Sequence, residues 1–378
     1  MGSRPRSRRP ARRWLANAGL VVASIVICLL AGEIGLRLTH DNVSLWRWPN
    51  FIAEATKPDP AAMPEAVRYD PELGWEPRPG AVDEVYRRRI DFSFEGFRIA
   101  RPRNALPSES SKGSSREVPI LAVGDSFTEG WGLEVDQPWP ARLEAETGRA
   151  VINAGVRSYG LDQIVLRTER LLGLLKPPLK PSLVILAFIE EDIDRLGDAA
   201  HSRRYKPWFA PVDDKTAPDG LALHGVPVPP APYDGPTHLW RRVLGYSYLA
   251  DAVMRHLDLY ELWQGVNLPN GVSDTDLVAC RLMQRFARDL KRHDLPGLVV
   301  ALPEYREWAM PALHVVAHRR NEAVLKCARD AGLRTLDVWD DLEKAGIVRS
   351  PEDFNNDGMH LNARGQAIVA RSIAAALQ

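Results

Sequence analysis

The sequence predicts an α/β domain built on a parallel sheet covered by helices, and two observations carry that prediction. From Val118 onward short apolar runs alternate with amphipathic segments, and five runs stand out: Ile120 to Val123, Val151 to Ile152, Leu183 to Phe188, Leu298 to Leu302 and Thr335 to Val338. Such continuous runs suit strands buried on both faces, where crossover helices cover both sides of the sheet. Between them Leu161, Ile164, Leu171, Leu172 and Leu175 recur at helical spacing, and Val369, Ile373 and Leu377 mark a last helix beginning near Asn362.

The chain ahead of this domain differs in character. With 378 residues, 45% apolar and 26% charged, there is room for one substantial core plus an extension, and disorder throughout is excluded. Arg4, Arg6, Arg8, Arg9, Arg12 and Arg13 crowd the start; the remaining 43 basic residues face 49 acidic ones, a net charge of −6 that makes the body a poor binder of nucleic acid. Trp14 to Gly32 then carries no charge and only Asn17 as a strongly polar side chain, which matches the thickness of a bilayer core. Positive charge on its N-terminal side predicts a cytoplasmic start and export of the chain beyond the helix, into the periplasm if the cell has two membranes. Residues 1–13 therefore read as a basic cytoplasmic tail and 14–38 as a transmembrane signal anchor with its exit, where Glu33 and Arg37 are spaced to pair. Trp14 at one end and Trp46 and Trp48 beyond the other suit the two interfaces. A cleaved signal peptide is the competing reading, although the run is long for one and Ala31-Gly32-Glu33 is a weak cleavage site. Cys28, inside the run, is expected to pack in the membrane.

Residues 39–116 form an extracytoplasmic extension and linker. Tyr69 to Trp75 and Ile90 to Phe97 are its clearest pieces, the second alternating as a strand or hairpin would, and the serine-rich Pro107 to Arg116 reads as a flexible link. Residues 117–378 hold the sheet, interrupted at about 201–270, where Gly225 to Pro232 is too rich in proline for a central strand and a helical stretch runs from about His238 to Gly265. This insertion leaves after the third strand, so it reads equally as a cap over the site or as a structural brace. Cys280 and Cys327 lie in helical patterns without a spacing signature and are expected as buried free thiols rather than a disulfide.

Two motifs carry chemistry. The first strand ends in Gly124-Asp125-Ser126-Phe127-Thr128-Glu129-Gly130, which sets the Ser126 hydroxyl at the strand's carboxyl edge, where a nucleophile would be exposed; an N-cap serine is the structural alternative. Near the end stands Asp357-Gly358-Met359-His360, an imidazole with a carboxylate three residues ahead to orient it, although Asn355 to Gly358 is also a good turn sequence. An acyl transfer to Ser126 needs donors where the oxyanion develops, and the N–H groups of Ser126 and of Gly155, in Asn153 to Gly160 after the second strand, are candidates. Arg157 would clamp an anion or simply be an exposed loop arginine, and Trp131, Trp139 and Trp208 would stack on sugars or simply pack. His314 and His318 share a helical face but lack a third ligand nearby, which favours surface residues over a metal site.

Across Glu117 to Gln378 the chain resembles the SGNH, or GDSL-type, hydrolases, through Gly124 to Gly130, Asn153 to Gly160 and Asp357 to His360. The resemblance implies a three-layer α/β/α flavodoxin-like fold, no metal or organic cofactor, and an acyl-serine mechanism on esters, often acetyl groups on carbohydrate. It implies Ser126 as nucleophile, His360 as base, Asp357 as orienter and Gly155 as an oxyanion donor. One block departs: after the third strand, Phe188-Ile189-Glu190-Glu191-Asp192 puts Glu191 where the family usually has an asparagine donor. Glu191 would have to be protonated by burial, face elsewhere, or accompany altered chemistry. The expected activity is a serine esterase on O-acyl esters of glycans or related envelope substrates. An extracytoplasmic carbohydrate O-acyltransferase and a non-catalytic glycan-binding scaffold are the alternatives, with the membrane and an acylated carbohydrate as the expected partners.

Overall fold

The computed structural model describes residues 9–40, 48, 50–52, 66–99, 118–213, 217, 219–230, 233, 239–257, 259 and 263–378. Arg4, Arg6, Arg8, Trp46 and the stretch from Pro107 to Arg116 lie outside them. The chain forms two compact units, Met1–Pro58 with Asp234–Val266, and Asp59–Tyr233 with Asn267–Gln378.

The larger unit is built on a five-stranded parallel sheet: β1 (Ile120–Val123), β2 (Val151–Asn153), β3 (Leu183–Phe188), β4 (Gly297–Ala301) and β5 (Arg334–Asp337). Its order is β2-β1-β3-β4-β5, the flavodoxin-like arrangement. All six residues of β3 are buried, because successive side chains point to opposite faces and both faces are covered. Val184, Leu186 and Phe188 enter one core, together with Ile164 and Val165 of α2 (Leu161–Leu174), Leu282 and Phe286 of α3 (Thr275–Arg292) and Leu325 of α4 (Pro311–Asp330). Leu183, Ile185 and Ala187 enter the other, with Trp139 and Leu143 of α1 (Trp139–Thr147) and Val369 and Ile373 of α5 (Ala363–Ala376). Asn362 caps α5 by accepting the N–H groups of Arg364 and Gly365, which fixes the predicted start of that helix. The predicted three-layer α/β/α sheet is thus the observed one.

The extension ahead of the sheet is part of this unit. It folds as two hairpins, Val67–Asp70 with Gly74–Pro77 and Val82–Val85 with Arg88–Asp91. Trp75 is fully buried and donates its indole N–H to the Arg157 carbonyl at 3.1 Å. Arg98 is buried as well and reaches the carbonyls of Glu129, Gly130, Leu133 and Glu134. Burial pulls its pKa down to about 10, so it still carries its charge at neutral pH. A side chain that ties four carbonyls between Glu129 and Glu134 makes the extension a brace of the segment after Ser126.

Cys280 of α3 and Cys327 of α4 are joined in a disulfide, with Cα atoms 5.2 Å apart, which corrects the expectation of free thiols. The two helices pack side by side on one face of the sheet, and that packing, invisible to sequence spacing, brings the cysteines together. Closing a 47-residue separation removes about 4 kcal/mol of unfolded-chain entropy in the simple loop model. Cys280→Ser with Cys327→Ser is therefore expected to lower unfolding free energy by about 2–4 kcal/mol, read from urea denaturation, and reduction of the wild type should reproduce the loss.

In the smaller unit, the helix Arg9–His40 contains Asn17–Thr39, 23 residues of mean hydropathy 2.3 with none of its most apolar stretch buried. It is long and apolar enough to cross a membrane or to be a signal sequence. Glu33 and Arg37 pair at 2.7 Å as their spacing predicts. Glu33 also accepts the N–H groups of Tyr248 and Leu249 at the start of Tyr248–His256. The helical stretch of the 201–270 insertion thus belongs with the N-terminal helix, whereas its first residues stay in the sheet unit.

Candidate active site

The strand order reverses between β1 and β3, and in such sheets the crevice opens outside the carboxyl ends of those strands. Ser126 comes directly after β1 and begins the one-turn helix Ser126–Glu129. Asp125, not Ser126, is its N-cap, accepting the Phe127 N–H at 2.9 Å. Gly124 is required because a Cβ there would collide with the Thr128 side chain and the Ala187 carbonyl. That close approach packs the turn onto β3 and leaves the hydroxyl at the sheet edge.

His360 lies just ahead of α5, in a loop held at both ends. The Asn356 N–H donates to the His360 carbonyl at 2.9 Å, and the Tyr305 N–H to the Met359 carbonyl at 3.1 Å. Asp357 Oδ1 accepts the N–H groups of Met359 and His360, while Oδ2 lies 2.8 Å from His360 Nδ1. His360 Nε2 is 2.9 Å from Ser126 Oγ. The structure thereby brings together three residues that stand 231 and 3 positions apart along the chain. Burial pushes the Asp357 carboxyl up, but the hydrogen bonds and charge of His360 outweigh it and hold the group below the usual carboxylate range. Asp357 is ionised at neutral pH, so it can stabilise an imidazolium.

Ser126 and His360 open onto a cleft of about 500 Å³ that is also lined by Ser158, Glu191, Arg195 and Trp131. Gly155, expected to donate into the site, instead gives its N–H to Asn153 Oδ1 at 3.1 Å. A Cβ on Gly155 would strike the Glu129 N–H, so the glycine serves close packing of the second loop on the nucleophile turn. Ser158 lines the cleft from that loop together with Arg157 and is held at φ 62°, a left-handed conformation that leaves no sequence signal in a serine. Among the described residues, neither the Ser126 nor the Ser158 N–H has a protein acceptor.

Glu191 does line the cleft, and its Oε1 lies 3.2 Å from Arg195 Nη2. Arg195 is buried and also bonds Asp192 Oδ1 at 2.7 Å and the Tyr159 carbonyl at 2.8 Å. Its Nη1 stands 3.8 Å from Asp125 Oδ2, whose carboxylate is within 3.3 Å of Ser126 Oγ. Burial pushes the carboxyls of Asp125 and Asp192 up, with Arg195 opposing it in both. One buried guanidinium therefore compensates three carboxylates beneath the serine. Nothing in the spacing of Arg195 had singled it out.

The remaining candidates resolve on structural grounds. Arg157 is neither an anion clamp nor an exposed residue: it is buried against Glu129, pairs with Asp83 at 2.6 Å and stacks 4.4 Å over Trp131. Trp139 is core and Trp208 stacks on His224, which leaves Trp131 as the one of the three in the cleft. His314 stacks on Trp339, and His318 lies 3.5 Å from Asp337.

Residues 122–368 match the model of the GDSL-like Lipase/Acylhydrolase family. Among solved structures, a member of the lipolytic protein G-D-S-L family from Veillonella parvula is 13% identical, with a TM-score of 0.36 over 67% of this chain and 94% of its own. An acetylxylan esterase from Geobacillus stearothermophilus is 15% identical, with a TM-score of 0.38 over 68% and 93%. No curated protein matches the sequence significantly.

Proposed function

Because the chain belongs to the GDSL-like lipase/acylhydrolase family, whose members hydrolyse ester bonds, we propose that it is a serine esterase acting on O-acyl, chiefly acetyl, esters of glycans or related envelope substrates through an acyl-Ser126 intermediate. The observation that carries this reading is the run of contacts from Asp357 Oδ2 through His360 to Ser126 Oγ, 2.8 and 2.9 Å long. His360 Nε2 takes the Ser126 proton as Oγ attacks the ester carbonyl, then returns a proton to the departing alcohol. Water, activated by the same imidazole, releases the acid and restores Ser126. Asp357 keeps the Nδ1 proton in place and balances the imidazolium charge.

The oxyanion is assigned to the N–H groups of Ser126 and Ser158, which have no protein acceptor among the described residues. Glu191 is assigned no donor role. Its pairing with Arg195 weakens the repulsion that a lone carboxylate would exert on the oxyanion, which favours catalysis over the non-catalytic scaffold reading. The N-terminal apolar helix, read as a signal anchor, and the Cys280–Cys327 disulfide support placement of the sheet unit in an oxidising, extracytoplasmic space, periplasmic in a cell with two membranes. We assign residues 1–13 to a cytoplasmic tail and 117–378 to the esterase domain.

Acid-quenching the enzyme milliseconds after mixing with a chromogenic acetyl ester tests the mechanism. Intact-mass spectrometry is expected to find one acetyl group, on the peptide containing Ser126. A burst of product without any acetylated protein would overturn the covalent route. Adding an oligosaccharide acceptor and finding its acetylated form in place of free acetate would turn the assignment to the acyltransferase.

A further inference from the structure

A second histidine–aspartate pair faces the same cleft. His201 ends the strand Asp198–His201, and Ser202 and Arg203, at φ 47° and 63°, turn the chain tightly into Arg204–Tyr205. His201 Nδ1 lies 3.0 Å from Asp198 Oδ2, and the His201 side chain, only 7% exposed, lines the cleft with Ser126 and His360. Ser202 is fixed in turn by the Asn267 side chain, which accepts its N–H at 2.8 Å.

We propose that the Asp198–His201 pair is a hydroxyl-recognition subsite, so that the alcohol side of the ester is a polyol such as a sugar; this rests on the esterase reading above. Asp198 Oδ2 accepts the hydrogen bond at Nδ1, which leaves Nε2 as the ring nitrogen open to a ligand. No described residue hydrogen-bonds Nε2. Nε2 is not among the buried polar atoms left without a partner, so it is reached from the cleft, and a substrate hydroxyl can take the place that water holds there. Charge points the same way. Of the three arginines lining the cleft, Arg157 and Arg195 are already held by Asp83, Glu129, Glu191 and Asp192, and Arg204 lies 5.4 Å over the Trp75 ring. Glu84, exposed and lining the same cleft, adds a further acceptor. A neutral, hydroxyl-rich group fits a cleft of this kind better than an anion or a bare alkyl chain.

The test compares two esters of similar shape, methyl 6-O-acetyl-glucopyranoside and cyclohexylmethyl acetate, on the full chain in detergent micelles. His201→Ala is expected to raise KM for the sugar ester about 10-fold, the value of one hydrogen bond, with kcat little changed and cyclohexylmethyl acetate unaffected. His201→Gln, whose amide oxygen can stand where Nε2 stood, is expected to recover part of the loss. An equal loss on both esters, or an unchanged KM for the sugar ester, overturns the subsite. Calorimetric binding of the sugar ester to Ser126→Ala separates this from the fate of the esterase reading. If the wild type hydrolyses neither ester, about 10-fold weaker binding in Ser126→Ala/His201→Ala still supports the subsite, and equal or absent binding overturns it.

Discussion

Ser126→Ala is expected to lower kcat/KM on an activated acetyl ester by about 10⁴- to 10⁶-fold, and His360→Ala by a similar factor. The two groups act as one unit, since the imidazole has no proton to move without the hydroxyl at 2.9 Å. The double variant should therefore be no slower than either single one. Asp357→Asn is expected to cost about 10⁴-fold as well, because an amide can present its NH2 to Nδ1 and select the wrong tautomer. Steady-state rates on the four variants, with far-UV circular dichroism to verify folding, check the set. A Ser126→Ala enzyme within about tenfold of wild type would refute the assigned nucleophile, whatever the other variants do.

The residues of that prediction were legible in the sequence because each sits where a strong local pattern meets an element boundary. A fully apolar run ended at Gly124-Asp125-Ser126, and Asp357 to His360 preceded a helix with a clear apolar period. The parallel sheet was legible for the same reason: strands buried on both faces leave runs with no polar interruption. What could not be read depends on packing between distant segments. Gly155 was expected as an oxyanion donor, yet its lack of a Cβ serves contact with the turn at Glu129, and the left-handed position facing the cleft is a serine. The Cys280–Cys327 bond arises from how α3 and α4 lie together, and Arg98 and Trp75, in what reads as a linker, are buried against the loops of the site. Whether Glu191 faces the cleft was open in the sequence; it does line it, and the charge beside its carboxylate comes from Arg195, one helical turn away in a segment rich in acids.

Arg195→Met is expected to be the most damaging change that leaves the reacting groups in place. The methionine fills much of the volume but leaves Asp125, Asp192 and Glu191 without their shared cation, and removing one partner of a buried pair typically costs about 3–5 kcal/mol. The loss should depend on pH with a definite sign. Burial already raises the carboxyls of Asp125 and Asp192, so between the ordinary carboxylate range and their folded values the native state holds protons that the unfolded state has released. Stability therefore falls as pH rises through that window. Without Arg195 the folded values climb further and the window widens upward, so the variant should lie near wild type at about pH 4 and fall progressively behind by about pH 8. Urea denaturation monitored by tryptophan fluorescence at several pH values measures this directly; a deficit independent of pH would mean that lost packing, not charge, is responsible. Activity offers a second readout. Glu191, no longer neutralised, would oppose the oxyanion, so kcat of Arg195→Met should fall beyond what partial unfolding explains, and adding Glu191→Gln should restore part of kcat. A double variant no faster than Arg195→Met would place the Glu191 carboxylate outside the electrostatics of the transition state.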